Sequence, residues 1–209
     1  EVFGNAWVFG NAQVYGDAIV SYNAEVFGDA IVSYNAEVFG DAKVFGNARV
    51  GGNAKVSDNA EIFENAEVFG DAEVFDDAKV YGFAEIYRNA KVFSNARVYG
   101  NAEVYDNAEV CCYNACVYGD AAVHGDAVVM NFAKVYDNAE VCDNARISGK
   151  AKVYGDAKVY GKATVFGNAE VCGHAKVYDN ARAYGCTKLD GDVELNGNTQ
   201  LYDIVKTFR

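Results

Sequence analysis

Few side chains in this sequence are types that do covalent, acid–base or metal chemistry. There are two histidines, His124 and His174, and six cysteines: Cys111, Cys112, Cys116, Cys142, Cys172 and Cys186. His174 lies eighteen residues after Asp156 and eighteen before Asp192, and His124 lies eighteen before Cys142. An imidazole near a carboxylate can act as a general base. Three cysteines fall within Cys111–Cys116, but Cys-Cys-x-x-x-Cys is not a zinc-ligand spacing. Soft donors Cys112, Met130, His124 and Cys142 lie near one another, which keeps soft-metal binding as a minor alternative, but they form no metal motif, and no metal and no cofactor is expected. A histidine or cysteine in such a setting is ordinarily structural, and the sequence assigns no catalytic residue.

Whether these spacings matter depends on what positions the side chains, and the answer is a repeat. An aliphatic residue recurs every six positions from Val2 through Val8 and Val14 to Val110, and Ala recurs in step from Ala6 to Ala108. The frame slips by one residue within 111–116. It resumes at Val117 and continues to Leu189, Leu195 and Leu201. Residues 18–29 and 30–41 are the same twelve letters, which points to duplication. The unit reads Asn/Asp-Ala-x-Val-aromatic-Gly. Ala and Val stand two apart and share one face of a short strand, while the residue between them and the aromatic after Val face outward. The next two residues are Gly, Asn or Asp, types that accept the positive φ of a tight corner.

One such strand cannot bury its apolar face alone. Three of them close a triangular coil of eighteen residues with Val and Ala inside, and stacked coils satisfy one another's backbone groups. The expected fold is all-β, a single-stranded parallel β-helix of about eleven to twelve coils, roughly 55 Å long at the rung spacing of a sheet. It forms one domain over 1–209, with a degenerate terminal coil at 187–209. There Thr187, Val193, Thr199 and Val205 take the Ala positions. The absence of proline suits a backbone engaged throughout in ladders.

Units such as Val44-Phe45-Gly46-Asn47-Ala48-Arg49 resemble the hexapeptide-repeat family, with an aromatic where that motif usually has a small residue. The resemblance covers the whole chain and implies a left-handed parallel β-helix. It also implies an activity to weigh, because many hexapeptide-repeat proteins are trimeric acyl-CoA-dependent acyltransferases. Those use a histidine, often at an extruded loop, as general base. Here there is no extruded loop and no helical C-terminal domain, which leaves His124 and His174 as weak candidates. Family members that are zinc carbonic anhydrases use three histidines, and this chain has two.

Eighteen-residue columns give the surface. The outward position after Val reads Phe9, Phe27, Phe45, Phe63, Tyr81, Tyr99, Tyr118, Tyr136 and Tyr154, then Cys172. Nine aromatics in line on one flat face read as a docking surface, or as rings that merely stabilise neighbouring rungs. The other columns are broken by Ser21, Ser57, Ser33 and Gly51. Beside the ladder run Glu25, Lys43, Glu61, Lys79 and Arg97, whose opposite charges at neighbouring rungs read mostly as solvated pairs of little energetic weight. Corner acids Asp71, Asp76 and Asp77 form no repeated calcium loop.

The net charge is −12. Residues 1–110 hold 18 acidic and 7 basic side chains, and the remainder hold 12 and 11, so nearly all the excess lies in the first half. That argues against direct nucleic-acid binding and suits either solubility or a basic partner. No apolar run is long enough for a membrane span. Unpaired cysteines suit a cytoplasmic location. Glu1 begins within a repeat and without Met, so the chain reads as trimmed at its N-terminus. Three functions follow. The foremost is a non-enzymatic scaffold that docks a protein, or a second copy of itself, through the ladder. The others are an acyltransferase-like enzyme and an acidic decoy of a nucleic-acid-binding protein, of the kind a phage uses against host defence.

Overall fold

The computed structural model describes residues 1–208, with side chains described over 1–205. It is a parallel β-solenoid of about eleven coils with thirty-four short strands and, among the described residues, no helix. Every third strand pairs, building three parallel sheets. One has twelve strands and begins at Trp7–Val8. The other two have eleven each and begin at Gln13–Val14 and Ile19–Val20.

The inside is the Ala and Val pattern made solid. From Ala18 to Ala183 the inward Ala, Val and Ile side chains are 0–1% exposed. Most strands are only two residues long, because a six-residue unit has no room for more before its corner. The first turn residue of each corner is in the left-handed region. Gly supplies it at twenty positions, and residues such as Tyr34 (φ 60°), Glu64 (60°) and Arg88 (61°) supply it elsewhere. Backbone N–H groups donate to the coil below at regular intervals, as from Trp7 to the Ala24 carbonyl at 2.9 Å and from Asn11 to that of Gly28 at 2.8 Å. Among the described residues no buried side-chain nitrogen or oxygen lacks a hydrogen-bond partner.

The extra residue in 111–116 is absorbed locally. Rungs pair at a spacing of nineteen at Arg97 with Cys116, Glu103 with Ala122 and Glu109 with Val128, and return to eighteen at Cys116 with Lys134. Two consecutive positive φ values, Cys112 (65°) and Tyr113 (43°), make the bulge. Later coils are not rotated, since Tyr118 stacks directly on Tyr99.

The last coil departs from the sequence reading. Thr187 and Val193 are buried at Ala positions, but Val205 pairs with Lys188, one residue early, and is 69% exposed. The Asp203–Ile204 segment leaves the last coil one residue short, so Val205 takes an outward position instead of an inward one. Arg209 lies outside the described residues. No helix is long and apolar enough to cross a membrane.

Candidate functional site

Two features stand out on the surface: the aromatic column and the surroundings of His124. The column runs unbroken from Phe9 through Phe27, Phe45, Phe63, Tyr81, Tyr99, Tyr118 and Tyr136 to Tyr154. Neighbouring ring centroids are 4.8–5.0 Å apart and their planes diverge by 1–6°. That distance is the rung spacing of a sheet, so the rings repeat with the backbone beneath them. Their residues mostly follow the strands and precede the turns, as Phe27 follows Glu25–Val26. The ladder therefore borders the sheet at a corner instead of crossing its flat middle.

Stacking hides most of each ring. Phe9, in the first coil, is 47% exposed, while the other eight are half-buried. Burial pushes the tyrosine hydroxyls up, Tyr99 to about 12, with a smaller push from the nearby Cys116 thiol. Tyr118 and Tyr136 are raised for the same leading reason. What the column offers a partner is thus a continuous strip of ring edges and neutral hydroxyls. The sequence reading placed the rings on one flat face. Eighteen-residue spacing finds the column, but the shielding comes from ring size relative to rung height.

The broken columns behave differently. Ser21 and Ser33 are each 3% exposed and Ser57 is 8% exposed, covered by their neighbours. Beside Ser21 an open groove of about 500 Å³ runs between Phe3 and Phe39.

His124 belongs to an aromatic column on the second sheet. Its ring lies flat on Tyr105, centroids 4.7 Å apart and planes within 1°, and Tyr105 in turn stacks on Tyr87. Its Nε2 is 3.2 Å from Oε1 of Glu140, whose other oxygen accepts a hydrogen bond from Nζ of Lys158 at 2.6 Å. Those two partners hold the Glu140 carboxyl below its ordinary range, Lys158 first. Cys142 completes the group: one ligand atom from each of His124, Glu140 and Cys142 lies within 4.8 Å of the other two. Burial pushes the Cys142 thiol up to about 11. Met130 and Cys111 pair with each other on the third sheet, so Cys112 and Met130 are not grouped with His124 and Cys142.

The Glu140 contact was missed in sequence because only spacings of eighteen were compared. The link from His124 to Glu140 spans sixteen, the diagonal from the residue after Val to the residue before Val one rung on. The same diagonal joins Tyr87 to Glu103 at 2.9 Å and Tyr178 to Glu194 at 3.2 Å. Once the unit is known, this spacing is readable.

His174 stands at an exposed corner, its Nδ1 3.5 Å from Asp156, and Asp192 makes no ion pair with it. The corner acids are occupied by structure: Asp71 and Asp77 accept from Asn53 and Asn59, and Asp76 accepts from the Ser94 backbone N–H. All six cysteines are free, and the Cys111 and Cys112 sulfurs are 3.2 Å apart. No protein-family model matches the chain, and no curated protein matches it.

Proposed function

We propose that this chain is a non-enzymatic interaction rod of the hexapeptide-repeat type, docking a protein partner or a second copy of itself along the aromatic edge from Phe9 to Tyr154. The observation that carries this is the unbroken column of nine stacked rings. A rigid β-solenoid holds such a strip straight, with each ring already immobilised by its neighbours, so docking there costs little side-chain entropy. The test replaces Tyr99, Tyr118 and Tyr136 with Ser, after circular dichroism has shown that the variant keeps its fold. Sedimentation velocity over a concentration series, together with affinity capture from source-cell lysate, then compares it with wild type. Loss of an assembly or of a distinct captured protein supports the reading, and identical behaviour of the two proteins refutes it.

A second reading draws on the charge. Glu67, Glu85 and Glu103 stack in consecutive rungs of the second sheet, whereas the matching column of the third sheet alternates acid and base from Glu37 to Glu109. Burial and the two flanking carboxylates raise the Glu85 carboxyl above its ordinary value. A rod with that stripe suits a basic surface that otherwise holds nucleic acid. Steep loss of partner binding with added salt, at unchanged fold, distinguishes this reading from ring-mediated docking.

A further inference from the structure

The strip of second-sheet surface around His124 has features that its neighbours lack. The outward position before Val carries a long charged side chain in most coils, and here it carries Ala122, paired across the ladder with Glu103 on one side and Glu140 on the other. The Ala122 methyl group reaches less far across the face than those charged side chains do. His124 cannot swing freely, because its ring lies flat on Tyr105. Glu140 is steadied by Lys158 through Oε2, which leaves Oε1 turned toward Nε2 of His124. Their side chains are 23% and 32% exposed, so the group is sheltered but reachable from solvent.

We infer that His124, Glu140 and Cys142 form a binding site for a divalent ion of the zinc class. A tetrahedral zinc with bonds of about 2.0–2.1 Å to nitrogen and oxygen holds those two atoms about 3.3 Å apart. His124 Nε2 and Glu140 Oε1 stand 3.2 Å apart. The same geometry, with a longer bond to sulfur, puts a thiolate roughly 3.6 Å from each of them. The three ligand atoms lie within 4.8 Å of one another, so closing the site needs a sulfur shift of at most about 1 Å, which side-chain rotation supplies. On binding, the Cys142 thiol releases its proton to solvent, and the hydrogen that His124 directs at Glu140 leaves Nε2, so that the metal-bound imidazole carries its single proton on Nδ1. The thiolate and the carboxylate together balance the ion's charge. Lys158 remains on Oε2 as an outer partner that orients the carboxylate, and a fourth position is left facing water.

The experiment is calorimetric titration of Zn²⁺ into the full chain under a non-chelating reductant, repeated with Co²⁺ as a spectroscopic reporter. Three variants accompany wild type. Cys142→Ser removes the thiolate. His124→Phe removes the nitrogen ligand but keeps a ring on Tyr105. Cys111→Ser/Cys112→Ser/Cys116→Ser removes the other cysteine cluster. Expected are one ion per chain and a thiolate-to-cobalt charge-transfer band that is absent in Cys142→Ser. Affinity should fall at least about tenfold in His124→Phe and be retained in the triple serine variant. Absence of saturable binding to wild type overturns the inference. So does binding that survives Cys142→Ser, or binding that vanishes in the triple serine variant.

Discussion

Each interior ring of the column touches two others. Tyr118 lies 4.8 Å from Tyr99 and 4.9 Å from Tyr136, with planes 2° and 1° apart. An aromatic pair contributes about 0.5–1.5 kcal/mol beyond its buried area, so Tyr118→Ser removes about 1–3 kcal/mol of stacking. Serine is a fair replacement, because Ser21, Ser33 and Ser57 already fill the equivalent position elsewhere. The sharper quantity is the coupling. Tyr118→Ser and Tyr136→Ser share one contact, so their separate losses overcount it, and a double-mutant cycle should show about 0.5–1.5 kcal/mol between them. Tyr99 and Tyr136 do not touch while Tyr118 stands between them, and their losses should add to within about 0.5 kcal/mol. The triple variant loses four contacts where its three single changes count six, so its stacking loss is about 2–6 kcal/mol. That approaches the whole stability of an ordinary domain, which is why its fold must be checked before any docking result is read. The assay is urea unfolding followed by far-ultraviolet circular dichroism and tyrosine fluorescence, whose transitions should coincide if unfolding is two-state. Equal coupling in both pairs, or none in either, would refute ring-to-ring support. The rings would then be independent passengers on the backbone.

Two further outcomes follow from particular residues. Glu85→Gln should raise the melting temperature at neutral pH. The Glu85 carboxyl is raised in the folded state by burial and by Glu103 and Glu67, so its ionisation works against the fold as pH rises through the folded value. Near pH 3, where the carboxyl is protonated both folded and unfolded, the gain should vanish, and a gain that persists there contradicts the electrostatic cause. Tyr34→Gly should stabilise by about 1 kcal/mol, since Tyr34 holds φ of 60° at a corner where Gly has no steric penalty. Its side chain is 63% exposed. Denaturant midpoints measure the change, and a loss would mean that the ring makes packing contacts that outweigh the backbone strain.

The fold was legible because its two rules are local. Ala and Val two residues apart decide which face turns inward, and residues tolerant of positive φ decide where the strand stops. Both recur often enough that the exceptions Tyr34, Glu64 and Arg88 are carried by the rungs above and below. The slip at 111–116 was legible for the same reason, as a change in phase. Val205 was misplaced because its frame was extrapolated where the repeat letters had already faded, and the short Asp203–Ile204 segment shifts the pairing by one. The structural role of the corner acids was not legible for a different reason. The backbone N–H groups of Gly82, Gly155 and Gly161 point toward the preceding rung, where Glu64, Asp137 and Asp143 accept from them. An acid at the left-handed corner is therefore a tie between coils, which no column of like positions reveals.

The same geometry limits where a specific site can arise. In a solenoid of near-identical units, columns eighteen apart can only repeat one contact, and repetition builds strips such as the ring ladder. A site that occurs once needs different residues brought together across columns, and the sixteen-residue diagonal does that. Of the four side-chain hydrogen bonds along it among the described residues, three join a tyrosine hydroxyl to a glutamate, which holds no ion. At His124 the ring nitrogen replaces the hydroxyl, Ala122 stands where most coils carry a long charged side chain, and Cys142 stands on the next rung. Three departures from the repeat meet within one coil and its successor, whereas His174 departs alone and meets only Asp156. That convergence distinguishes His124 from His174 as a candidate for chemistry. It also predicts that restoring the repeat there, by His124→Tyr with Cys142→Tyr, leaves a rod that still carries its Phe9–Tyr154 ladder but has lost the ion.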